Sequence, residues 1–138
     1  MLILGIDPGT NTGVAHFVDG ELARLETIAP HQIERILREA MPARVVFEDS
    51  RLQSHTWTRG NSVAATAKMA RNVGQIDAWC SLITAVCGEL GIPAHGISPL
   101  GKGHKMAADQ FERITGWTGR SNQHERDGAM VAWPYRGA

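Results

Sequence analysis

The run Leu2-Ile3-Leu4-Gly5-Ile6, closed by Asp7-Pro8-Gly9, constrains the fold of this chain more than any other stretch. So short an apolar run, cut off by a proline and a glycine, reads as a buried strand and not as a helix. A strand placed there delivers Asp7 to its end. Left unpaired and buried, that carboxylate would cost several kcal/mol, comparable with the whole stability margin of a small domain, so a cationic partner is expected.

The rest of the chain supplies the partners of that strand. Val14 to Val18 reads as a second strand, Asp19-Gly20 as a hairpin turn, and Leu22 to Ile28 as a third strand, an antiparallel start. After Pro30, Ile33, Ile36, Leu37 and Ala40 recur at helical spacing until Pro42, and Arg44 to Glu48 follows as another buried strand ending on an acid. Ser50 to Asn61 is polar and irregular. Apolar residues then hold a three-and-four spacing from Ala64 to Leu90, with Gly74 allowing either close packing or a kink. Gly91-Ile92-Pro93 stops this helix, Ala94 to Ile97 reads as a fifth strand, and residues 104–115 and 122–133 read as two helices separated by Gly116-Trp117-Thr118-Gly119.

This order predicts an α/β domain with a mixed five-stranded sheet, three antiparallel strands followed by parallel ones, flanked by helices. With 138 residues and 43% apolar content, a single domain spanning 1–138 is expected. No eighteen apolar residues run together, which predicts no membrane segment and a soluble, cytoplasmic protein. Cys80 and Cys87 fall in one helix, roughly 10 Å apart along its axis at ~1.5 Å per residue, and so beyond disulfide reach. They read as core thiols of a reducing compartment.

Net charge is zero, yet unevenly spread. Between Ser50 and Ile76 there is no acid, while Arg51, Arg59, Lys68 and Arg71 stand alongside His55 and Trp57. A second acid-free stretch, Leu90 to Ala108, holds His95, Lys102, His104 and Lys105. Two explanations stay open, a solvated face or a phosphate-binding surface.

Asp7 and Glu48 both close predicted strands, and ligands of open α/β sheets collect at such strand ends. His124 and Asp127, at i and i+3 on the last helix, face the same way. Crowded carboxylates repel unless cations lie between them, and hard oxygen donors select Mg²⁺ or Mn²⁺ over zinc.

Three motifs, Gly5-Ile6-Asp7-Pro8-Gly9-Thr10-Asn11-Thr12-Gly13, Val45-Val46-Phe47-Glu48 and His124-Glu125-Arg126-Asp127-Gly128-Ala129, resemble in order and spacing those of the RuvC-type Holliday junction resolvases of the ribonuclease H-like superfamily. The resemblance implies a homodimer that nicks a four-way DNA junction symmetrically, with Mg²⁺ held by Asp7, Glu48 and Asp127. His124 falls where that family has either an acid or a histidine, so metal ligation and transition-state stabilisation both stay open. Lys105, and with it Lys102, lies where the family places catalytic or phosphate-contacting lysines. The chain is shorter than the cellular resolvases and its segment after Glu48 is expanded, features similar to compact phage and prophage members. Cellular resolvases stack an aromatic on junction bases soon after the second acid. Here Trp57 is the candidate, either for that stacking or for packing on the domain itself. Gly9 and Gly13 are expected to leave room for a DNA phosphate.

Three other readings compete. The Asp7 turn also resembles the phosphate loop of the actin, Hsp70 and sugar-kinase superfamily, whose members close two domains around a nucleotide where this chain provides one. A YqgF-like RNA-processing nuclease shares size and fold, though Pro8 and the Phe47-Glu48-Asp49 motif fit RuvC-like proteins better. A non-catalytic junction binder would have no use for three acids beside phosphates.

Overall fold

The computed structural model describes residues 1–53, 62–99 and 105–137. The apolar run forms β1, Leu2–Asp7, which pairs antiparallel with β2, Thr12–Val18. β2 pairs in turn with β3, Glu21–Ile28. A short 3-10 turn leads into α1, Ile33–Ala40, and then β4, Arg44–Glu48, lies parallel to β1 on its other side. The long helix α2, Val63–Leu90, is followed by β5, Ala94–Ile97, parallel to β4. Two helices, α3 at Ala108–Thr115 and α4 at Gln123–Ala132, complete the described chain. The sheet order is β3-β2-β1-β4-β5, the mixed five-stranded arrangement expected from the sequence.

Alternation along the strands divides the interior into two layers. Leu4, Ile6, Val14, Val45 and Phe47 face α1 and α2, where they meet Ile33, Leu37, Ile83 and Cys87. Ile3, Ala15, Phe17 and Val46 face the other way, onto Phe111 of α3 and Ala129 and Ala132 of α4. Both cysteines are buried and free, as expected for core thiols. Burial pushes the Cys87 thiol up to about 11.

Side-chain size decides how closely α4 approaches the sheet. A methyl group added to Gly5 would run into the Gly128 carbonyl oxygen and come within 2.7 Å of Ala132 Cβ, and one added to Gly13 would overlap the His124 carbonyl. Gly128 itself lies against the carbonyl oxygens of Gly13, 2.9 Å from its own added methyl, and Gly5, 3.2 Å. The helix therefore rests on bare strand backbone. Gly13 serves this contact.

α2 is continuous through Gly74, and among the described residues nothing packs within 4 Å of a methyl group added there. Only the second half of α2 is buried on the sheet; its first half runs outward with Val63 88% and Met69 41% exposed. Among the described residues no helix is long and apolar enough to cross a membrane.

Two glycine substitutions are expected to move stability in opposite directions. Gly5→Ala forces α4 off the sheet and lowers Tm by about 5–10 °C, the effect of overpacking a close contact. Gly74→Ala, in an open helix interior, raises stability by about 0.5–1 kcal/mol. Thermal melting followed by circular dichroism checks both, and a Gly5→Ala variant as stable as the parent would contradict the contact.

Candidate functional site

One row of residues crosses the sheet at the end where β1 and β4 terminate. Gly13 pairs with Asp7 on one side and with Thr27 of β3 on the other. The parallel pairing of Ile6 with Phe47 sets Glu48 beside Asp7 one residue further on. Alternation puts Asp7 on the same face as Ile3 and Gly5, and Glu48 on the same face as Val46. That is the α4 face. Neighbouring strands lie ~4.8 Å apart, so the two carboxylates leave adjacent positions at the strand ends.

The turn that carries the chain from Asp7 back into β2 is closed by buried Thr12. Its hydroxyl donates to the Gly9 carbonyl at 2.7 Å and accepts from the Gly9 amide at 3.3 Å. This hydroxyl fixes the loop beside Asp7 with a local bond.

α4 is fastened over this row at its first turn. The Asn122 side chain accepts from the Glu125 amide and the Glu125 side chain accepts from the Asn122 amide, a reciprocal capping box. Thr27 joins both members, accepting from Asn122 Nδ2 at 2.7 Å and donating to Glu125 Oε2 at 3.1 Å. With the His124 carbonyl seated over Gly13 and Gly128 against the β1 and β2 backbones, Asp127 is held beside the end of β1, only 8% exposed. Gln123 Nε2 donates to Asp127 Oδ1 at 2.8 Å.

The structure thus brings Asp7, Glu48, His124 and Asp127 to one end of one face, by strand register and by the seating of α4. Lys105 is exposed at the start of the segment leading into α3, next to Met106, whose carbonyl accepts from Arg126 Nε at 2.8 Å. Lys68 and Arg71 lie exposed one turn apart on the outward half of α2. Trp57, Arg59 and Lys102 lie outside the described residues.

Arg51 is exposed and at the same time paired within the chain. Alternation turns Asp49 to the α2 face, opposite Glu48, where its carboxylate overlies Gly96 and is 4% exposed. Arg51 clamps that carboxylate with both Nε, at 2.9 Å, and Nη2, at 2.8 Å, and reaches Thr84 and Ser81 of α2. Its hydrogen bonds hold the Asp49 carboxyl below the usual carboxylate range against the opposing effect of burial. The guanidinium thus pairs with a buried carboxylate from an exposed position. Beside it, Ser50 donates to Asp77 at 2.6 Å and the Cys80 thiol to the Glu48 carbonyl at 3.6 Å, so Glu48 and the chain just after it are tied to α2.

Three carboxylates and an imidazole make a donor set suited to a hard divalent cation. Among the described residues, no group of three or more His, Cys, Asp or Glu side chains is arranged to hold a metal ion. The fit is one of donor chemistry and backbone placement, with no preassembled cage. The sequence reading missed Thr12, Thr27, Gln123 and Arg126. Of the whole anchoring set only the capping box, Asn122 three residues before Glu125, had a local signal.

Comparison with solved structures places this fold beside two RuvC structures. One is T. thermophilus RuvC in complex with a Holliday junction substrate, at a TM-score of 0.62 and 18% identity over 96% of this chain and 90% of that one. The other is Thermus thermophilus RuvC, at 0.59 and 16% identity over 96% of this chain and 92% of that one. At this level of identity the likeness establishes the ribonuclease H-like fold. No protein-family model matches the chain. No curated protein matches it either.

Arg51→Ala would leave Asp49 buried without its cation and is expected to cost roughly 2–4 kcal/mol. Chemical denaturation measures this. A loss below about 0.5 kcal/mol, the range of exposed surface pairs, would contradict the clamp.

Proposed function

We propose that this chain is a divalent-metal-dependent endonuclease that nicks branched DNA, resolving four-way junctions by paired symmetric cuts as a homodimer, in recombination or phage DNA processing. The observation that supports this most is the row at the sheet end. Asp7 and Glu48 stand in register on adjacent parallel strands, under a helix whose glycine contacts bring Asp127 and His124 to the same place. Acids gathered there fit phosphodiester hydrolysis better than nucleotide cradling or passive binding, since bare carboxylates repel phosphate.

In this reading Asp7, Glu48 and Asp127, with His124, hold Mg²⁺, for which Mn²⁺ substitutes. Such an ion, when bound, supplies Lewis-acid polarisation of the phosphate and lowers the pKa of the attacking water. Asp7 lies between the strand carrying Glu48 and the helix carrying Asp127, and takes the shared position. Lys105 brings positive charge to the phosphate as negative charge builds on its oxygens. Products carry a 5′-phosphate and a 3′-hydroxyl, as the resemblance implies.

Lys68 and Arg71, with Arg51, Trp57, Arg59 and Lys102, guide a DNA arm. The dimer reading draws on α2, whose 28 residues span about 42 Å and whose outward half exposes Val63 and Met69. The site of action is the cytoplasm, of a bacterial cell or, for a phage-encoded chain, of its host.

The test is cleavage of matched four-way, three-way, linear duplex and RNA substrates with and without Mg²⁺. Expected are Mg²⁺-dependent nicks at the four-way junction, no comparable cleavage of linear duplex, and loss of nicking with retained binding in Asp7→Asn. Binding should weaken steeply as salt rises. Equal cleavage of linear duplex would leave a nuclease that is not a resolvase; preference for RNA would favour RNA processing; binding without any divalent-dependent cleavage would favour a junction-binding module.

A further inference from the structure

Arg126 lies between two acids of the last motif, where a cation would ordinarily face solvent or DNA. Instead its part-buried guanidinium is divided among three residues from two stretches of chain. Nε donates to the Met106 carbonyl at 2.8 Å, Nη1 to the Ser121 carbonyl at 2.8 Å and to Ser121 Oγ at 2.9 Å, and Nη2 to Gln123 Oε1 at 3.4 Å. Gln123 then spends its other amide atom on Asp127, Nε2 donating to Oδ1 at 2.8 Å.

The orientation of the Gln123 amide follows from chemistry. A guanidinium can only donate and an ionised carboxylate can only accept, so the oxygen must face Arg126 and the nitrogen Asp127. Accepting from a cation polarises the amide and strengthens its donation to the carboxylate. The result is a continuous path from the Met106 carbonyl, adjacent to Lys105, through Arg126 and Gln123 to Asp127. No backbone element makes this connection: the 105–107 segment is neither helix nor strand.

We infer that Arg126 and Gln123 are positioning residues, a strut that fixes the Lys105 segment and the Asp127 carboxylate in one mutual geometry. The structural half of this inference stands on the bonds above. Its bearing on catalysis rests on the proposed nuclease function, in which Lys105 and Asp127 act on the same phosphate. An arginine is required because its rigid fork serves separated acceptors at once, whereas a lysine ammonium is a single point of charge.

Two conservative variants of the full chain separate positioning from folding. Arg126→Lys keeps the charge and loses the fork. Gln123→Glu keeps the shape and still accepts from Arg126, but it offers Asp127 a carboxylate where an amide donor stood. Melting temperature, junction affinity without divalent ion, single-turnover nicking of a four-way junction with Mg²⁺, and trypsin cleavage at the Lys105–Met106 bond, identified by fragment mass, are measured on each. Expected are melting temperatures within about 3 °C of the parent, junction affinity within about twofold, and nicking slowed roughly 10- to 100-fold. Cleavage after Lys105 should quicken about tenfold in Arg126→Lys, as the Met106 carbonyl is released. Unchanged protection of that bond in Arg126→Lys would overturn the strut. Parental nicking rates in both variants, or losses that merely follow the folded fraction, would overturn the positioning role. If the parent chain fails to nick any junction, the nuclease reading and the catalytic half of the inference fall together, while the protease measurement still decides the strut.

Discussion

The contact on which the rest of this structure depends is helix against bare backbone. Gly5, Gly13 and Gly128 let α4 lie on β1 and β2 at a distance that any side chain would forbid. Such a contact is all-or-none. A helix lifted by the thickness of one methyl group would lose the Thr27 anchor and carry Asp127 away from the strand ends, so the placement of the candidate site and the packing of that layer are one event.

The two faces of the β4 end divide the work. Glu48 projects toward α4 with the other acids, and Asp49 projects toward α2, where Arg51 neutralises it. Two consecutive acids thus meet opposite fates through alternation alone. Asp49 and Arg51, with the Ser50–Asp77 and Cys80–Glu48 bonds, tie the end of β4 to the buried half of α2. On the other face, Arg126 and Gln123 tie the approach to α3 to Asp127. The acids that remain at the sheet end are therefore supported from both layers, as a site that must hold its geometry against a charged substrate requires.

Much of the fold was legible because its signals are local. Continuous apolar runs marked β1 and β4, Asp19-Gly20 marked the hairpin, and Pro42 and Gly91-Ile92-Pro93 marked where helices stop. The positions of Asp7 and Glu48 at strand ends followed from the same runs. What escaped depends on residues distant in sequence. Gly13 reads as a turn glycine until the His124 carbonyl is found above it, and Gly74 reads as a site of close packing or a kink although no described residue packs on it. The partners of Arg51 and Arg126 escaped because charge is visible in a sequence and the acceptors that it meets are not. Thr27 carries no signal at all, for its partners sit on the far end of the chain.

The proposed function requires Asp7, Glu48, His124 and Asp127 to hold a hard divalent cation together. The most direct measurement is titration of the isotopically labelled protein with paramagnetic Mn²⁺ while amide resonances are followed by nuclear magnetic resonance. Selective broadening should begin at Asp7, Glu48, His124 and Asp127, be displaced by excess Mg²⁺, and vanish in Asp7→Asn. Broadening centred elsewhere, for instance around Asp77, or broadening that survives in Asp7→Asn, would contradict it.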